Sequence, residues 1–181
     1  MAGQARPLWG WHRLDKRWAN LVVDDAGIQP GDLVLDIGAG WGALTAPLVA
    51  AGARVIAVEL HPARAMQLRK RFSDCPVTVV RVDASDLRLP KQPFRVVANP
   101  PFAVTMAIIR RLLSPGSRLV SAHVVVPRHV ASRWVRDTAP GRQRWARTFA
   151  VSIGRTMPRQ AFIPRAPRDA VTIVIRRRAR H

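Results

Sequence analysis

Five short apolar runs, rich in β-branched residues, recur along the chain at residues 33–37, 55–58, 77–82, 94–98 and 119–126. Between them lie stretches such as 43–51, 62–72 and 104–113, where apolar residues return at helical spacing among polar ones. A continuous apolar run implies a strand buried on both faces, and an amphipathic stretch implies a helix laid against such a sheet. The pattern therefore predicts a doubly wound, Rossmann-like α/β domain with a mostly parallel sheet. Two later runs, 148–153 and 171–177, are joined by a proline-rich segment, 157–167, without a helical period. They read as an antiparallel pair at the sheet edge. Residues 14–26 read as a helix within an N-terminal cap, residues 1–30, ahead of the main domain over 31–178 and a basic tail at 179–181.

The length, 181 residues, and a hydrophobic content of 48% suit one domain with a sizeable core. Charge changes the picture more. The formal net charge is +19, and it is uneven: residues 1–98 hold 13 Lys+Arg against 9 Asp+Glu, whereas residues 99–181 hold 17 against 2. A polyanion is the partner such a half implies. All but three of the cations are arginine, the side chain suited to bidentate phosphate contacts and to stacking on bases. Arg128, Arg133, Arg136, Arg142, Arg144 and Arg147, interleaved with Trp134 and Trp145, are the nucleic-acid contact candidates, read as lying in loops and strands; the alternative is a solvated helix face over core tryptophans. Cys75 stands alone, so neither an intrachain disulfide nor a cysteine metal cluster is expected. Residues 1–8 lack an apolar leader core, and no run approaches about 18 apolar residues. A soluble, cytoplasmic, metal-free monomer without a membrane partner is the expectation.

The first strand run leads into Asp36-Ile37-Gly38-Ala39-Gly40-Trp41-Gly42, which opens a helix. Gly38 and Gly40 allow a tight turn and close approach of a ligand, and a helix start offers free N–H groups. Gly38, Gly40 and Ala43 also satisfy a dinucleotide fingerprint, so the turn alone leaves the cofactor open. Asp36 would repel a pyrophosphate but suits the cationic amino-acid end of S-adenosylmethionine. Glu59, followed by Leu60, ends the second strand where ribose hydroxyls would lie. Asp83, followed by Ala84, is expected to close the third strand and accept from an adenine amino group. All three carboxylates converge on the carboxyl edge of the sheet, where open α/β folds bind ligands.

About 60 residues beyond the turn, the fourth run ends in Asn99-Pro100-Pro101-Phe102. An aromatic amino nitrogen is a poor nucleophile because its lone pair is delocalised into the ring. Acceptors that favour a pyramidal nitrogen make it reactive, and Asn99 Oδ1 with the Pro100 carbonyl would supply them, while Phe102 offers a face for the base. The pairing of motifs points to methyl transfer onto a planar amino group. The antiparallel ending likewise suits a methyltransferase better than a plain dinucleotide-binding fold. His123 and His129 read as sheet and loop residues. DNA adenine and protein glutamine methyltransferases use a similar tetrapeptide, although the basic second half disfavours a protein substrate. A noncatalytic ribosomal RNA-binding or assembly protein would not need both Glu59 and Asn99, and a dehydrogenase is disfavoured by Asp36.

With these motifs in place, the chain resembles the ribosomal RNA adenine N6-methyltransferases, and within them the Erm type linked to macrolide resistance. The resemblance runs from about residue 14 to residue 178, through Asp36 to Gly42, Glu59, Asp83-Ala84-Ser85-Asp86, the Asn99 tetrapeptide, and Phe162-Ile163-Pro164 with Pro167. It implies a class I fold and S-adenosylmethionine as cofactor. It further implies an adenine near the peptidyl-transferase centre of 23S ribosomal RNA as substrate, and macrolide-lincosamide-streptogramin resistance as the consequence. The chain departs from the family twice. A Gln-Asn-Phe-Leu element is replaced by Gly10-Trp11-His12-Arg13-Leu14, and the last strand is followed by Arg176-Arg177-Arg178-Ala179-Arg180-His181 rather than by a helical C-terminal domain. Substrate grip is then expected from the catalytic domain.

Overall fold

The computed structural model describes residues 12–136 and 138–179. A short strand β1 (Arg13–Leu14) and helix α1 (Lys16–Ala26) lead into β2 (Leu33–Ile37), α2 (Thr45–Ala50), β3 (Arg54–Val58), α3 (Pro62–Arg71), β4 (Val77–Val80), β5 (Phe94–Ala98), α4 (Phe102–Leu112) and β6 (Leu119–Pro127). The chain continues through α5 (Arg128–Val135), α6 (Arg142–Trp145), β7 (Phe149–Met157), β8 (Phe162–Ile163) and β9 (Ala170–Arg177). Seven strands form one sheet in the order β4-β3-β2-β5-β6-β9-β7. The first five are parallel, and β9 lies antiparallel between β6 and β7. This is the doubly wound sheet with an antiparallel edge that the hydrophobic pattern implied.

Alternation along the strands builds the two larger of three buried apolar clusters. Val34, Val55, Val97 and Val125 pack beneath Ala19, Val22 and Val23 of α1 and Leu48 of α2. Leu35, Ile37, Val96 and Val124 pack against Ile108, Ile109 and Leu112 of α4 and Trp134 of α5. Strand order reverses at β2, whose neighbours are β3 and β5, so the crevice beyond the carboxyl ends of β2 and β5 is the topological switch point.

Several expectations are corrected. The third parallel strand stops at Val80, not residue 82, and Asp83 lies in the following loop. Its carboxylate accepts from both the N–H and the hydroxyl of Ser85, a local turn that competes with the ladder. The first helix starts at Lys16 rather than Leu14, because Asp15 caps it by accepting from the Arg17 N–H. Arg128 and Arg133 belong to α5, and Arg142 and Arg144 to α6, rather than to loops and strands, and His129 is helical too. Trp134 and Trp145 are core residues, 1% and 5% exposed, which is the alternative the sequence left open for them. Gly10 and Trp11 lie outside the described residues.

Candidate active site

The switch point opens into a cleft of about 800 Å³, within the usual range for a small-molecule site. Its floor joins the two motifs that the chain holds far apart. Gly38, at φ +77°, donates its N–H to the Val58 carbonyl, and a Cβ there would lie 3.1 Å from Pro100 Cα and 3.2 Å from Pro101 Cδ. Glycine at this position is what lets the turn after β2 and the proline pair after β5 touch. Gly40 donates to Glu59 Oε2 at 2.8 Å, and a Cβ on it would meet nothing nearer than 3.9 Å. The backbone of that turn is therefore bare toward the cleft.

Each carboxylate sits differently. Glu59 is buried, and its Oε1 also accepts from the His61 N–H at 2.8 Å. Two backbone bonds hold it still, and each oxygen keeps a second lone pair for a ligand hydroxyl. Asp36 is fully buried at the end of β2, where Oδ2 accepts from Thr45 Oγ1 at 2.6 Å while Oδ1 has no partner among the described residues. Burial raises its pKa to about 7, the Thr45 bond pulling the other way and Glu59 adding to the rise. Asp83 borders the cleft near water, and the two Ser85 bonds lower its pKa.

Asn99 lines the cleft, and its Nδ2 donates to the His12 carbonyl at 2.8 Å. A carbonyl can only accept, so this bond fixes which end of the amide is which and leaves Oδ1 as an acceptor. Pro101 also lines the cleft, but its carbonyl is used by the first turn of α4, accepting from the Val104 N–H and Thr105 Oγ1. Pro100 is buried under the turn and, unlike Asn99 and Pro101, is not among the residues that line the cleft. Phe102 opens α4, 41% exposed, outside the ring of residues that line the cleft. The cofactor candidates Asp36, Gly38, Gly40, Glu59, Leu60, Asp83, Ala84 and Asn99 all line it.

The resemblance named both edges of one wall of the site, Gly10 to Leu14 and Phe162-Ile163-Pro164, but not that they pair. Strand β1 pairs antiparallel with β8, and His12, Arg13, Ile163 and Pro164 face the cleft from this small sheet. The ring Nδ1 of His12 lies 3.0 Å from the Pro164 carbonyl, which ties the wall together. Two residues per strand are too few for a periodic signal. Trp41 stands at the mouth, 51% exposed, with the Arg64 guanidinium 6.0 Å from its ring. The six candidate arginines divide. Arg128 lies at the carboxyl edge and bonds Thr156, whereas Arg142, Arg144 and Arg147 belong to the segment just before β7, at the opposite edge. His123 is buried in β6 away from the cleft, with its pKa lowered to about 4 by burial and by Arg176.

A family model described as ribosomal RNA adenine dimethylase matches residues 12–180. An rRNA adenine N-6-methyltransferase from Corynebacterium diphtheriae is 34% identical over 160 residues, covering 87% of this chain and 62% of that protein. Ribosomal RNA small subunit methyltransferase A of Thermotoga neapolitana is 32% identical over 173 residues, covering 91% and 65%. A crystal structure of the 23S rRNA methyltransferase ErmE superposes with a TM-score of 0.82 at 27% identity, covering 94% of this chain and 70% of that one. The chain thus spans less than two thirds of the length of these two curated relatives. The fold is that of class I S-adenosylmethionine-dependent methyltransferases, in line with the expected cofactor.

Proposed function

The chain belongs to the ribosomal RNA adenine dimethylase family, and on that premise we propose that it methylates N6 of an adenine in ribosomal RNA with S-adenosylmethionine as donor. The observation that carries the reading is the contact between the glycine turn and the proline pair, which puts Asn99 in one cleft with Asp36 and Glu59. The residues fit the cofactor on two counts: the orphaned Asp36 Oδ1 calls for a cationic partner, and the bare turn at Gly40 leaves room for a nucleoside. Asp36 and the turn would hold the amino-acid end, Glu59 the ribose, and Leu60, Asp83 and Ala84 the adenine. When bound, the cofactor supplies an electrophilic methyl on a sulfonium.

The chain's own residues do the rest by placement. Clamped by His12, Asn99 presents Oδ1 to accept an amino hydrogen of the target base, which favours a pyramidal nitrogen with its lone pair free. Pro100, held beneath the turn, contributes a carbonyl not taken by helix capping. Phe102, at the exposed start of α4, stacks on a base drawn out of its helix, a contact worth about 1–3 kcal/mol against an unstacking cost of a few. Effective concentration supplies most of the acceleration in such a site.

For the target we infer 23S ribosomal RNA near the peptidyl-transferase centre, with macrolide-lincosamide-streptogramin resistance as the outcome. The likeness to the 23S rRNA methyltransferase ErmE supports it. Small-subunit methyltransferases at nearly the same identity favour a second reading, 16S ribosomal RNA. Primer extension on ribosomal RNA from cells with and without the gene separates the two. A new stop in 23S RNA is expected. A stop only in 16S RNA selects the second reading. Because a single N6-methyl group leaves base pairing intact and gives no stop, mass spectrometry of nuclease digests accompanies the extension, and no gene-dependent N6-methylated adenine in either RNA refutes both.

A further inference from the structure

The amino edge of the sheet, opposite the cleft, carries cations that the proposed chemistry does not use. Three shallow grooves there run into one another. The first is lined by Lys91, Arg111 and Arg118. The second shares Ser114 and Pro115 with it and adds Arg110 and Arg144, and the third shares Gly141 with the second and adds Arg142 and Arg147. No Asp or Glu lines any of the three among the described residues.

The band is built on rigid parts. Trp145 is buried beneath it, donates to the Pro140 carbonyl, and has the Arg142 guanidinium 5.9 Å from its ring. Arg177 donates to the Ser117 and Leu119 carbonyls and so pins the turn that carries Arg118. The side chains of Lys91, Arg110, Arg118, Arg144 and Arg147 are exposed and make no hydrogen bond or ion pair among the described residues. Uncompensated cations on separate elements of a stiff edge offer point contacts to an extended anion.

We propose that this amino-edge band is a second docking surface, which grips backbone phosphates of the same ribosomal RNA whose adenine enters the cleft. The inference rests on the proposed RNA substrate. From Arg118 to the level of Asn99 the sheet rises about seven residues, roughly 25 Å at strand spacing, so one RNA must reach around the domain to engage both sites. An anionic membrane is the poorer partner. The exposed large apolar side chains Trp41, Leu60, Met66, Phe102, Val135, Ile153 and Ile163 are not among the residues lining these grooves, which leaves them no apolar anchor to bury.

The test is the triple variant Lys91→Gln/Arg110→Gln/Arg118→Gln against the wild type, with a long ribosomal RNA fragment and a short hairpin that holds only the target adenine. Losing three phosphate contacts should lower the slope of log affinity against log salt for the long fragment by about 2 to 3, and raise its KM roughly tenfold or more. The kcat, the hairpin KM, the thermal midpoint and calorimetric affinity for S-adenosylhomocysteine should not move. An unchanged salt slope and long-fragment KM would overturn the proposal. So would phosphatidylserine vesicles that bind the wild type and release the variant while RNA binding stays the same. If the wild type binds RNA with the expected slope difference yet transfers no methyl group, the proposed reaction fails and the docking surface stands. If it methylates RNA and the variant does so equally well, the surface alone fails.

Discussion

Asp36→Asn should stabilise the ligand-free protein at pH 8 and destabilise it at pH 4, a change of sign that follows from where the carboxylate sits. Burial raises its pKa from 3.8 to about 7. Below pH 3.8 the folded and unfolded chains are both protonated there. Between 3.8 and 7 the unfolded chain loses its proton while the folded one keeps it, so stability falls with rising pH. Above 7 it levels off at a deficit of about 4 kcal/mol, since each pH unit between the two values costs about 1.4 kcal/mol. Asparagine cannot ionise and escapes that loss. Its N–H₂ would occupy the place of Oδ1, which has no partner among the described residues, at a cost of about 1–3 kcal/mol. The net gain at pH 8 is about 1–3 kcal/mol, or roughly 3–9 °C in midpoint for a chain of this size. At pH 4 only the cost remains. Thermal unfolding followed by circular dichroism from pH 4 to 8.5 measures both. The same carboxylate should favour an ammonium ligand, so the variant should bind S-adenosylhomocysteine at least tenfold more weakly. Wild-type binding at pH 6 should release close to one proton, read by calorimetry in buffers of different ionisation enthalpy. A stability difference between variant and wild type that stays constant across the pH range would refute the reasoning.

Asn99→Ala should lower kcat by about 10²–10³, the usual cost of removing one group that acts on the reacting atoms, and leave S-adenosylhomocysteine affinity within about twofold. Transfer of tritiated methyl to RNA, paired with calorimetry, tests the split. Phe102→Ala should weaken substrate RNA by about 1–3 kcal/mol while costing only about 1–2 kcal/mol of stability, since the ring is already 41% exposed. Urea unfolding and KM measured on the same preparation decide it. His123 has its pKa lowered from 6.5 to about 4, so the folded chain refuses a proton that the unfolded chain takes up. Stability present above pH 6.5 is lost as pH falls toward 4, by at most about 3 kcal/mol, and His123→Gln should flatten that slope in urea titrations at pH 4.5 and 7.

The sheet was readable in the chain because burial on both faces demands unbroken apolar runs, and because the helices between them need one apolar stripe each. That Asp36, Gly38, Gly40, Glu59 and Asn99 gather at one edge of the sheet was likewise legible, since strand ends and glycine turns leave marks on neighbouring residues. Asp83 was placed on a strand it does not belong to, because its Ser85 turn depends on side-chain bonds that no hydropathy pattern records. His12, Arg13, Ile163 and Pro164 belong to stretches the resemblance singled out, but their union into one wall stayed hidden, as pairing between residues about 150 positions apart leaves no local period. The arginines show the same divide. Composition announced a polyanion partner, yet α5 and α6 run from one sheet edge to the other, and only their course separates Arg128 from Arg142, Arg144 and Arg147. Periodicity is a property of neighbours along the chain, and it fixes which faces are buried. Which residues then meet across a cleft or share a surface is set by strand order and register, which arise only when distant segments pack together.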